Sequence, residues 1–91
     1  MDEIVDVART GKKIKKYIKQ SGYTVTEIQN YLGFKCPQSI YRWLDGASLP
    51  TIAHLYMLSL LFDVDMEDMI VLNEMTVSKQ LISFARYISE E

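Results

Sequence analysis

The residues of this chain that could do chemistry are few, and their spacing limits what that chemistry can be. One histidine (His54) and one cysteine (Cys36) fall short of a zinc site, which needs four well-spaced ligands, mostly sulfur or imidazole nitrogen. Asp63, Asp65, Glu67 and Glu74 stand at positions 1, 3, 5 and 12 of a calcium loop. The sixth position, where glycine makes the sharp turn, is however Asp68, and Met69 to Leu72 is an apolar run suited to a core. Neither a glycine-rich phosphate loop nor a nucleophile elbow occurs. We therefore expect no catalytic residues, no metal, no cofactor and no small-molecule ligand; the chain reads as a non-enzyme. Cys36 reads as a packing or capping residue, and His54 as a surface or partly buried helix residue.

What remains is a cluster of hydrogen-bonding side chains, Gln38, Ser39 and Arg42. Glutamine can bond adenine twice in the major groove, arginine can bond guanine twice, and serine suits either. Lys35 lies just before them, and lysines and helix-start amides hold phosphates. The net charge of −2 looks unpromising for such work until the charges are placed along the chain. Residues 1 to 8 carry −3, residues 9 to 42 carry eight bases against Glu27 alone for +7, and residues 43 to 91 carry −6. A basic half joined to an acidic half can attract phosphate on one side only. A solvated lysine face on the first helix would give the same count, so charge alone does not decide.

The elements that must position these groups are helical. At 91 residues the chain is one domain. Its longest apolar stretch, Leu55 to Phe62, is eight residues and contains Ser59, against about 20 needed to cross a bilayer. The acidic start MDEIVD does not resemble a signal peptide, and a lone cysteine closes no internal disulfide, so a reduced, cytoplasmic setting is expected. Ile4 to Val7 reads as an arm. Thr10 can cap a helix over 11 to 21 with Ile14, Tyr17 and Ile18 on one side, stopped at Gly22. Thr24 and Glu27 form a capping box for a second helix, with Ile28, Tyr31 and Leu32 inward and Gly33 at its end. Pro37 fits the first position of a third helix over 37 to 44. Thr51 caps a fourth whose Ile52, Leu55, Leu58, Leu61 and Phe62 read as core, and Asp65 caps a short fifth. From Thr76, the residues Val77, Leu81, Phe84, Ala85 and Ile88 fall on one face of a terminal amphipathic helix.

Two short helices joined by a tight turn are the parts of a helix-turn-helix. The third helix splits as a groove-reading helix must, with Ile40, Trp43 and Leu44 on its apolar side and Gln38, Ser39, Tyr41 and Arg42 on the other. The segments GKKIKKYIKQSG, TVTEIQNYLGF, PQSIYRWLDGASLPT and LYMLSLLFDVDMEDMI together resemble the Cro/repressor-type (XRE) DNA-binding domain over about residues 10 to 71. That resemblance implies an all-α, five-helix, repressor-like DNA-binding domain, here with an added C-terminal amphipathic helix. It places Gln38, Ser39 and Arg42 at base-reading positions and Tyr41 near the backbone; Thr24, Lys35, Lys12 and Lys13 are the other expected backbone contacts. Residues 1–9 are then an arm, 10–72 the DNA-binding domain, and 73–91 a candidate dimerisation element.

Three positions depart from the family pattern. The turn between Gly33 and Ile40 is one residue longer, and Val25 stands where a phosphate-clamping glutamine is common. Ile18 and Leu44 replace a buried basic–acidic pair, an exchange that packing can compensate, so the two are expected to touch. The function expected is a sequence-specific transcriptional regulator, a repressor, binding double-stranded DNA as a homodimer. The alternative is a helical protein-interaction module such as an antitoxin or anti-repressor subunit, for which the +7 half would have no purpose. The terminal helix can pack on its own chain or on a second copy.

Overall fold

The computed structural model describes residues 4–89. They form six helices: α1 (Val7–Ser21), α2 (Val25–Leu32), α3 (Gln38–Leu44), α4 (Ile52–Phe62), α5 (Met66–Met69) and α6 (Glu74–Ser89). The fold is all-α. Its core joins Ile14 and Ile18 of α1, Ile28 and Leu32 of α2, Ile40 and Trp43 of α3, Leu55 and Leu58 of α4, and Met69 of α5. Leu44, Leu61 and Phe62 pack on its margin.

Several boundaries follow the caps. Thr24 and Glu27 make the reciprocal pair, with the Glu27 amide donating to Thr24 Oγ1 at 3.1 Å and the Thr24 amide donating to Glu27 Oε1 at 3.0 Å. Gly22 and Gly33 end α1 and α2 in the left-handed region. The α4 helix starts after Thr51, whose hydroxyl accepts from the His54 amide at 3.2 Å.

Others differ from expectation. The α1 helix begins four residues before the expected position 11, because Asp6 caps it by accepting from the Arg9 amide at 3.0 Å. Thr10 is instead buried inside the helix, and its Oγ1 accepts from the Val71 amide at 3.0 Å. A threonine can cap a helix or satisfy a distant backbone group, and a partner 61 positions away decided which. The arm is tied down as well: Val5 bridges Leu72 antiparallel, the Asp6 amide donates to Val71 O at 2.8 Å, and the Asn73 amide donates to Ile4 O at 2.7 Å. Pro37 precedes α3 as its N-cap rather than opening it, a place where a missing N–H also costs nothing. Ile52, expected in the core, is 80% exposed, because the phase set by the Thr51 cap turns Leu55, Leu58 and Ser59 inward instead. Tyr31 is not inward but on the surface, donating its hydroxyl to Met57 O at 2.9 Å and so tying α2 to α4.

The α6 helix begins at Glu74 rather than Thr76, with Asn73 Oδ1 accepting from the Thr76 amide at 3.3 Å. Thr76 is buried and Val77 half-buried, but every residue from 78 to 89 is exposed. The stripe from Leu81 to Ile88 therefore does not fold back on its own core.

Candidate nucleic-acid interface

The geometry of α2, the turn and α3 is set locally. Gly33 at φ 79° lets its amide donate to Asn30 O and the Phe34 amide donate to Gln29 O at 3.0 Å, closing the end of α2. The Gln29 side-chain amide also donates to Phe34 O at 3.3 Å. Phe34 is thus held where its ring meets Trp43 edge-on at 5.8 Å and His54 edge-on at 4.6 Å. On α3, Ile40 and Trp43 are buried, while Gln38, Ser39, Tyr41 and Arg42 are exposed. At about 100° per residue, Gln38, Ser39 and Arg42 fall within one quarter or so of the helix circumference, with Tyr41 on its flank. Among the described residues, none of these four side chains is engaged in a hydrogen bond or ion pair.

The attachment of α3 to α1 is closer than the sequence reading anticipated. A Cβ on Gly11 would stand 2.1 Å from Trp43 O, so only glycine lets the two backbones approach at the C-terminal end of α3. Ile18, two turns further along α1, and Leu44 both pack against the shared core.

The expected backbone contacts come from three parts of the chain. Thr24 and Lys35 are exposed at the start of α2 and in the turn before α3. Lys12 is exposed and Lys13 half-buried; both follow Gly11 on α1, toward the C-terminal end of α3. Cys36 is exposed in the turn. His54 is half-buried, its Nδ1 lies 3.0 Å from Thr51 Oγ1, and its ring belongs to the aromatic group under α3. A shallow cleft of about 220 Å³ lies there, bordered by Ser39, Arg42, Ser48, Thr51 and His54. Sequence reasoning missed this buttress, although Thr51 and His54 three residues apart and an aromatic directly after Gly33 are its visible marks.

The calcium-like series has other employment. Asp63 ends α4 in the left-handed region, and Asp65 caps α5 while the Asp68 carboxylate accepts from the Asp65 amide at 3.1 Å. Among the described residues, no group of three or more His, Cys, Asp or Glu is placed to hold a metal ion, and no helix is long and apolar enough to cross a membrane.

A helical domain with a short helix presented this way belongs to the helix-turn-helix class of folds. No protein-family model matches the chain, and comparison with curated proteins gives no match. Among solved structures the chain is similar to the restriction-modification controller protein C.AhdI from Aeromonas hydrophila, with a TM-score of 0.62 at 11% sequence identity, over 70% of this chain and 96% of that one. At that identity the likeness is one of fold.

Proposed function

We propose that this protein is a sequence-specific DNA-binding transcriptional regulator, a cytoplasmic repressor that lays α3 in the major groove. The observation that carries this reading is α3 itself, whose inner side is fixed by Ile40 and Trp43 while Gln38, Ser39 and Arg42 stand exposed on one sector. Those three read bases; Thr24, Lys35, Tyr41, Lys12 and Lys13 hold the backbone. The concentration of positive charge in residues 9 to 42 supports phosphate attraction on that half. Similarity in fold to a restriction-modification controller accords with a regulatory role. In this reading residues 10–72 are the DNA-binding unit, joined by residues 7–9 as the first turn of α1, and 73–91 are an assembly element. The chain works as a homodimer, because one such unit covers a half-site and two meet half-sites about one helical turn apart.

The test is selection of bound duplexes from a random pool, followed by binding to the enriched sequence in rising salt. An enriched two-fold motif, with affinity falling steeply as salt rises, is expected. No enrichment, together with no retention on duplex DNA at about 50 mM salt, would sink the reading. The exposed apolar side of α6 favours a second reading, a helical protein-interaction module such as an antitoxin or anti-repressor subunit. That reading requires a chain without DNA affinity and with a stoichiometric protein partner.

A further inference from the structure

We infer that the apolar face of α6 formed by half-buried Val77 and exposed Leu81, Phe84 and Ile88 is the surface on which two copies of this chain pair. This gives a definite interface to the homodimer proposed above and rests on that reading only for its use on DNA. The four residues recur at steps of four, three and four, the seam of a two-helix coil in which each side chain enters a hole on the facing helix. Leu81, Phe84 and Ile88 are 61%, 60% and 53% exposed, and no other described element covers α6 beyond its first turn.

Two observations identify the occupant as a second copy. The first is area. A compact monomer of 10.5 kDa exposes about 5,400 Å², whereas this chain exposes 6666 Å². Its radius of gyration is 15.9 Å, where a compact chain of this length has about 12 Å. The excess is on the order of 1,000 Å², close to the roughly 800 Å² that one partner loses in an ordinary stable interface.

The second is charge. The residues flanking the seam, Ser78, Gln80, Ala85 and Tyr87, are uncharged. The two bases of the helix, Lys79 and Arg86, fall on its opposite side at about 100° per residue. Flanking charges are what select one coil partner over another and keep like helices apart. With no flanking charge between Val77 and Ile88, an identical helix meets no like charge along that stretch, and a single two-fold contact covers both copies at once; Glu74, in the first turn, lies outside it.

Sedimentation equilibrium of the full chain without DNA tests this, with Leu81→Glu/Phe84→Glu on the seam and Lys79→Glu/Arg86→Glu on the far side as variants. The parent is expected to be a dimer at tens of micromolar. The seam variant should weaken the dimer by about 100-fold or more, and the far-side variant should leave it intact. Because Leu81 and Phe84 are exposed in the single chain, the seam variant should keep the melting temperature of the parent's monomer, compared at a concentration where both are monomeric. Its affinity for a duplex bearing one half-site should also equal the parent's. A parent that is monomeric at hundreds of micromolar overturns the inference. So does a dimer that survives the seam variant and is lost instead in Tyr56→Glu/Leu60→Glu on α4. A dimer lost only in the seam variant, but with no affinity for any duplex, establishes the interface and removes the DNA reading alone.

Discussion

Both α3 and α6 are amphipathic, yet they stand at opposite extremes of support. The α3 helix has seven residues, too few to be stable alone. Buried Ile40 and Trp43, the Phe34 and His54 rings and the Gly11 approach nonetheless hold it from three sides. The α6 helix has sixteen residues, and beyond its first turn it projects its apolar side into solvent. An apolar stripe therefore states that a face needs cover, but only the rest of the fold states whether the chain itself supplies it. Fixing a short helix rigidly suits a reader of fixed base edges, and leaving a long one free suits an element that waits for a partner.

The comparison can be broken most forcefully at α3. Trp43→Ala removes a nearly fully buried indole and should destabilise the chain by about 3–5 kcal/mol, seen as a lower denaturant midpoint; a loss under about 1 kcal/mol would mean that α3 is not held as described. Ile18→Arg places a charge at the core and should cost about 3–5 kcal/mol if it stays unpaired. Adding Leu44→Glu should restore part of that loss, whereas a double-mutant cycle with no coupling would show that the two positions do not meet. Smaller effects should appear in binding rather than stability. Gln38→Ala and Arg42→Ala should each weaken affinity for the selected duplex by about 1–3 kcal/mol and relax preference at one base position. Both should leave the melting temperature unchanged, and two variants that bind like the parent would remove α3 as the reader. The smallest effect belongs to α6. A dilute chain ending at Val77, which keeps buried Thr76, should match the parent's stability within about 0.5 kcal/mol, measured by urea unfolding at a concentration where the parent is monomeric; a larger loss would show that α6 beyond Val77 supports the body.

Much of this arrangement was legible in the sequence because its signals are local. Thr24 with Glu27, Gly33, Thr51 and Asp65 marked helix ends through bonds made within four residues, and the split of α3 into apolar and polar sides needed only its own periodicity. The failures involve distant partners. Asp6 and Thr10 are both competent caps, and the Val71 amide chose between them. Ile52 continues an apolar stripe but is turned out by the phase of α4, and nothing in the run GKK announces that Gly11 must admit the Trp43 carbonyl. The aromatic support under α3 combines Phe34, Trp43 and His54 from three separate elements, so no single window of sequence contains it.

The tie between the ends of the fold has a consequence in time. Thr10 and Val71 are 61 positions apart, so the contact that roots α6 closes a loop of about two thirds of the chain, and contacts of that separation are slow to form. The α3 helix rests on α1 through Gly11, directly beside Thr10, while α6 starts just after Asn73, two residues past Val71. During synthesis the residues of the first five helices are made before the partner of Thr10 exists. The orientation of α6 relative to α3 is therefore set last, and it can be released first by opening a few hydrogen bonds without melting the core. The amide protons of Asp6, Val71 and Asn73, which donate across this tie, are its natural clocks. Their exchange with deuterium would run faster than that of the Ile14 or Ile40 amides and would slow when two copies join.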